Sequence, residues 1–141
     1  MSIKNLNNQE AFEALKENSD SVYIDVRSIP EFEAEHPEGA YNIPIMHKGP
    51  SGMMPNAEFV QVIEKHFPKE KKLIIGCLRG GRSLQACMVL EQHGYTDLTN
   101  VLGGFGGSHD PMTGEVYEGW KDSGLPVSQD DHGKDYESLK E

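Results

Sequence analysis

Nucleophilic chemistry in this chain has one obvious home. Leu73, Ile74 and Ile75 form a short apolar run, and Gly76, Cys77, Leu78, Arg79, Gly80, Gly81 and Arg82 follow it directly. Apolar residues then recur at helical spacing, Leu84, Ala86, Cys87, Val89 and Leu90, with polar Ser83, Gln85, Glu91 and Gln92 between them, until Gly94 signals a helix end. The pattern predicts a strand, a tight loop and a helix, with Cys77 at the strand's end and Arg82 where the helix begins. In such a loop the backbone N–H groups turn inward as a nest, and the unpaired first-turn amides of the helix add partial positive charge. Cys77 would face that field, and Arg79 and Arg82 would favour its nucleophilic thiolate form. Gly80 and Gly81 let the chain curl without Cβ clashes.

Elements that must position this loop can be read on both sides of it. Residues 3–6 suit an edge strand, and Asn7 or Asn8 can cap a helix with Phe12 and Leu15 on its inner face, broken at 18–20. Residues 22–26 are a short β-rich run that reads as a buried strand with Arg27 at its exit. Asp25 and Arg27 read as a clasp with Glu31 that fixes the next short helix, because buried charges are paired. Residues 36–44 contain two prolines and a glycine and predict a loop entering a brief strand at 41–43. Residues 46–55, rich in glycine, proline and methionine, are expected to wander over the surface, with Met53 and Met54 as candidates for the rim of the cysteine loop. Asn56 can cap a helix over 57–67 with Phe59, Val60, Ile63 and Phe67 as its apolar stripe, stopped by Pro68. Residues 98–102 supply a last strand, and the glycines of 103–107 force a loop. Alternating strands and helices imply an α/β layer fold with a mostly parallel sheet, whose carboxyl edge carries the Cys77 loop.

Composition narrows the classes. A chain of 141 residues fits one domain with a real core, and 36% hydrophobic with 26% charged residues is the balance of a soluble globular protein. A net charge of -10 argues against nucleic acid and against anionic membrane surfaces as partners. No apolar run is long enough to span a bilayer and the first residues lack a signal-peptide core, so a cytoplasmic location is expected. Cys77 and Cys87 are spaced neither for a disulfide nor for zinc, and the six histidines are dispersed; no metal and no organic cofactor are expected.

With these blocks in view, the sequence resembles the rhodanese-like family of sulfurtransferases. The family's motif is a cysteine, four residues and an arginine closing a six-residue loop between a central strand and a helix, matched here from Cys77 to Arg82 and followed by Ser83. Upstream the resemblance takes in Tyr23 to Arg27, Glu31-Phe32 and His36 to Pro44; downstream it takes in Gly94-Tyr95, Val101 to Gly104, Trp120 and Gly124 to Pro126. It implies a three-layer rhodanese-like fold over residues 1–127. Residues 108–119, which separate the paired glycines from Trp120, look like an insertion, either covering the rim of the site or neutral. Residues 128–141 read as an acidic, flexible tail, with a short helix from Asp135 docked through Tyr136 and Leu139 as the lesser alternative.

The resemblance also implies a reaction. Cys77 would take sulfane sulfur from a small anionic donor such as thiosulfate and hand it, as a persulfide, to cyanide, a cellular thiol or a protein acceptor. Leu78, Arg79, Gly80, Gly81 and Arg82 would form the binding loop, with Arg79 attracting the donor. Two alternatives stand beside it. One is a cysteine phosphatase or arsenate reductase, whose related loops are one residue longer. The other is a non-catalytic sulfur-carrier or redox-sensing module. Cys87 and Trp120 read as packing residues, and His36 as a weak candidate for a base.

Overall fold

The computed structural model describes residues 3–141. In chain order the elements are β1 (Ile3–Leu6), α1 (Asn8–Glu17), β2 (Val22–Asp25), α2 (Ile29–Ala34), β3 (His36–Pro37), β4 (Tyr41–Asn42), β5 (Met46–Gly49), β6 (Gly52–Pro55), α3 (Phe59–His66), β7 (Leu73–Gly76), α4 (Gly81–Gln92), β8 (Leu98–Val101), β9 (Ser108–His109), β10 (Val116–Tyr117), β11 (Val127–Ser128) and α5 (Tyr136–Lys140). Five strands form the central sheet in the order β1-β8-β7-β2-β4, and every neighbouring pair is parallel. β7 lies in its middle, so the loop that follows it emerges from the centre of the carboxyl edge.

Side chains alternate across this sheet and bury both faces, as a parallel sheet requires. Leu73 and Ile75 of β7, with Ile24 of β2, point into one core shared with Phe59, Ile63, Ala86, Cys87 and Leu90 of α3 and α4. Ile74 and Tyr23 point the other way, to Ala11, Phe32, Val101, Trp120 and Leu125. These are the three layers expected. Asn7 caps α1 in a reciprocal box with Glu10, each side chain accepting from the other's backbone N–H. Asn56 accepts the Glu58 N–H at the start of α3.

Several local expectations are corrected. Residues 46–55 do not wander: β5 and β6 pair antiparallel as a hairpin. Residues 108–119 also form a hairpin, β9 with β10. On α3 Val62 is buried beside Phe59 and Ile63, and Val60 is half-buried. On α4 Leu84 is 40% exposed, whereas Ser83 is fully buried. The sequence stretch taken for a loose tail is tied down twice. β11 pairs with β3, and α5 inserts Tyr136 and Leu139 into the α3/α4 core. The Tyr136 hydroxyl accepts from the Asn56 amide at 3.1 Å, which anchors the segment through a polar contact as well. Among the described residues no helix is long and apolar enough to cross a membrane.

Candidate active site

Cys77 leaves β7 with its side chain buried, 2% exposed, at the amino end of α4. The Gly80 N–H donates to its sulfur at 3.0 Å. That contact needs a left-handed residue: Gly80 sits at φ +97, and a Cβ there would lie 2.7 Å from the Leu102 carbonyl oxygen. A sulfur facing a backbone N–H at a helix's first turn is placed where negative charge is stabilised.

Ser83, one turn into the helix, brings its hydroxyl within 3.4 Å of the same sulfur. This hydroxyl also lies 2.5 Å from Asn100 Oδ1 and 3.1 Å from the Gly80 carbonyl. It has one proton to donate, so the two acceptors and the sulfur compete for it. Asn100 in turn donates to Asn5 Oδ1 across the β8–β1 pair at 3.1 Å. Neither Ser83 nor Asn100 was singled out from the sequence. Ser83 was legible as the residue after the closing arginine; Asn100 has no sequence signal and is found only through the strand register.

The two arginines are each engaged by a separate partner. Arg82 makes two parallel bonds to Glu31, Nη1 to Oε1 at 2.9 Å and Nη2 to Oε2 at 3.1 Å. Glu31 also accepts from the Ser28 N–H and hydroxyl, which closes the capping box of α2. Burial would push the Glu31 carboxyl up, but the bonds from Arg82 and Ser28 outweigh it and bring it down to about 2. Glu31 raises the Arg82 guanidinium in return. The expected clasp therefore divides. Asp25 pairs with Arg27 at 2.9 Å in the interior, and Glu31 pairs with the loop arginine. For Arg27, burial works to lower the guanidinium, and the Asp25 contacts overcome it. Arg79 extends over the surface and donates to the Gly107 carbonyl at 3.2 Å.

A second backbone segment straps the cysteine loop from outside. Phe105 N–H donates to the Cys77 carbonyl at 2.7 Å and Gly106 N–H to the Leu78 carbonyl at 2.9 Å. Gly104, at φ +60, lies so close that a Cβ would sit 2.5 Å from the carbonyl oxygens of Cys77 and Leu78. Asn8 and the Trp120 N–H both donate to the Gly104 carbonyl, while the Arg27 guanidinium lies 4.4 Å over the Phe105 ring. Beyond the strap, the 108–119 hairpin walls an open groove of about 450 Å³ together with Arg79, Gly80 and Asn100. Met53 and Met54 line neither this groove nor its neighbour.

His36 is fully occupied by structure. It is buried, stacked on Phe32 at 3.7 Å, and bonded to the carbonyls of Phe32 and Asp130. Cys87 is buried on the apolar side of α4, and burial, with the neighbouring Cys77 and Glu91, pushes its thiol up to about 12. Both cysteines are free. Among the described residues no group of three or more His, Cys, Asp or Glu side chains is arranged to hold a metal ion.

A family model described as a rhodanese-like domain matches residues 8–109, most of the chain and all of the Cys77–Arg82 loop. The chain belongs to the rhodanese-like domain family. Thiosulfate sulfurtransferase 16, chloroplastic, of Arabidopsis thaliana is 36% identical over 105 residues, covering 74% of this chain and 78% of that protein. Thiosulfate sulfurtransferase 18 of the same plant is 32% identical over 111 residues, covering 77% and 73%. Other relatives are longer: the chain spans 52% of the senescence-associated protein DIN1 of Raphanus sativus, at 36% identity over 76% of its own length. Among solved structures, Rv0390 from M. tuberculosis superposes with a TM-score of 0.75 at 26% identity, over 92% of this chain and 100% of that one. The match to the family model ends at residue 109, at the close of β9.

Proposed function

We propose that this rhodanese-like domain is a sulfurtransferase that moves sulfane sulfur through a persulfide on Cys77. One observation carries the reading: the Cys77 sulfur, at the end of the central strand, accepts the Gly80 N–H at 3.0 Å inside a six-residue loop closed by Arg82. The names of the relatives at 32–36% identity support the same class.

Cys77 thiolate attacks the outer sulfur of thiosulfate. A Cys77 S–S bond forms, the donor S–S bond breaks, and sulfite leaves with the electron pair. The terminal persulfide sulfur carries the negative charge, and the loop amides and the α4 amino end stabilise it as an oxyanion hole stabilises oxygen. Cyanide or a thiolate then attacks that outer sulfur, and the Cys77 thiolate is regenerated. Ser83 can turn its proton toward the sulfur whenever the charge rests on it. Arg79, beside the groove of the 108–119 hairpin, attracts the anionic donor, and that groove receives the acceptor.

Intact-mass measurement of reduced protein after thiosulfate tests the reading. Wild type should gain about one sulfur atom, roughly 32 Da, which cyanide removes, and Cys77→Ser should gain nothing. An unchanged mass for wild type, or an equal gain on the variant, refutes a Cys77 persulfide from this donor.

A further inference from the structure

The sulfur chemistry leaves unused a cavity of about 360 Å³ at the amino edge of the sheet, where Ser21, Val22 and Tyr23 enter β2. Aromatic residues stand among its polar lining, Phe12 and Tyr41 partly exposed and Tyr23 and Trp120 buried behind them. Phe12 and Tyr23 both meet Trp120 edge to face, at centroid separations of 5.8 and 5.4 Å, and Tyr41 also lines the space. Two lysines reach the same cavity from separate elements, Lys16 from α1 and Lys134 from the segment before α5. Each ammonium lies over a ring, Lys16 at 5.0 Å from the Phe12 centroid and Lys134 at 4.7 Å from that of Tyr41. Among the described residues neither lysine has a carboxylate ion-pair partner. Glu38 is the one carboxylate on the rim. In a chain of net charge -10, two cations facing one aromatic cavity are a local reversal of sign.

The size is that of a small-molecule site, and the lining combines apolar area with a few charged groups that fix orientation. We propose that this cavity binds a small aromatic carboxylate, its ring between Phe12 and Tyr41 and its carboxylate held by Lys16 and Lys134. The carboxylate neutralises the two ammonium groups. The site adjoins the strap of the cysteine loop, because the Trp120 N–H donates to the Gly104 carbonyl at 3.0 Å. It stands independently of the reaction proposed for Cys77.

Trp120 is the single tryptophan of the chain and stands buried behind this cavity, so its emission reports a change there. The full chain would be titrated with phenylacetate and, separately, with phenylacetamide, which keeps the ring and removes the charge. Phenylacetate should change the emission saturably with a Kd of about 1 mM, and the amide should bind about tenfold more weakly. The surface double substitution Lys16→Gln with Lys134→Gln should weaken phenylacetate about tenfold and leave the amide unchanged. Amide shifts in a 15N spectrum should move at Ser19, Ser21 and Gly39. Equal affinity for acid and amide, no saturable change, an unaltered double variant, or shifts confined to the Cys77–Arg82 loop would each overturn the assignment.

Discussion

Replacing Glu31 by Gln tests how the loop arginine is held. Glu31 and Arg82 share two bonds of 2.9 and 3.1 Å, with side chains 29% and 21% exposed. Arg82 and Ser28 hold the Glu31 carboxyl at about 2, against 4.5 for an ordinary glutamate. A shift of that size equals about 3 kcal/mol, and screening by solvent at this half-open position reduces it to about 1–2 kcal/mol. Because the folded-state value is depressed, the stabilisation is complete above the ordinary value and disappears as pH falls through the window from 4.5 to about 2. Glu31→Gln should therefore lower the free energy of urea unfolding by about 1–2 kcal/mol at neutral pH, and the two proteins should converge near pH 2. The same substitution frees Arg82 at the first turn of α4, so cyanide-dependent sulfur transfer should fall about tenfold. A stability difference that stays constant from neutral pH down to the acid limit would refute the ion-pair account.

Three further outcomes follow from the packing around the site. Gly104→Ala places a Cβ 2.5 Å from two carbonyl oxygens at φ +60, and should cost about 2–4 kcal/mol in thermal unfolding and abolish sulfur transfer. Tyr136→Ala and Leu139→Ala each empty a buried position of the α3/α4 core, and each should lose about 2–4 kcal/mol by denaturant titration, whereas an unanchored segment would lose nothing. Iodoacetamide at neutral pH should label Cys77 and spare Cys87, whose thiol is pushed to about 12. Cys87→Ala should keep sulfur transfer while lowering stability by about 1–2 kcal/mol, and loss of transfer would assign Cys87 a chemical role.

What the chain declares locally and what it decides only when folded separate cleanly. The Cys77 loop, the strand before it and the helix after it were legible because each depends on neighbours in sequence: an apolar run, paired glycines and a 3.6-residue repeat. The cap of α1 was legible for the same reason, since the Asn7 side chain bonds the backbone N–H three residues on; Asn56 instead bonds the Glu58 N–H, ahead of the α3 start at Phe59. Methionine, proline and glycine over 46–55 concealed a hairpin, because the strands are short and exposed and carry no apolar alternation. The polarity of 128–141 likewise favoured a loose tail over the docked helix, because the anchoring of α5 needs only Tyr136, Leu139 and the Asn56 amide from 80 residues earlier.

Partner choice among charged and polar groups belonged to the tertiary structure. Asp25, Arg27, Glu31 and Arg82 could be paired in several ways from their order along the chain. The geometry of β2 keeps Arg27 with Asp25 in the interior, and α2 turns Glu31 outward to Arg82, 51 residues away. Asn100 reaches Ser83 only because β8 lies beside β7 in parallel register and α4 packs over both. Sequence by itself determined which cysteine ends the central strand and on what kind of loop, since those are properties of short, contiguous segments. The fold alone decided which donors and charges surround that sulfur, because they come from strands and helices that meet only through the packing of the sheet.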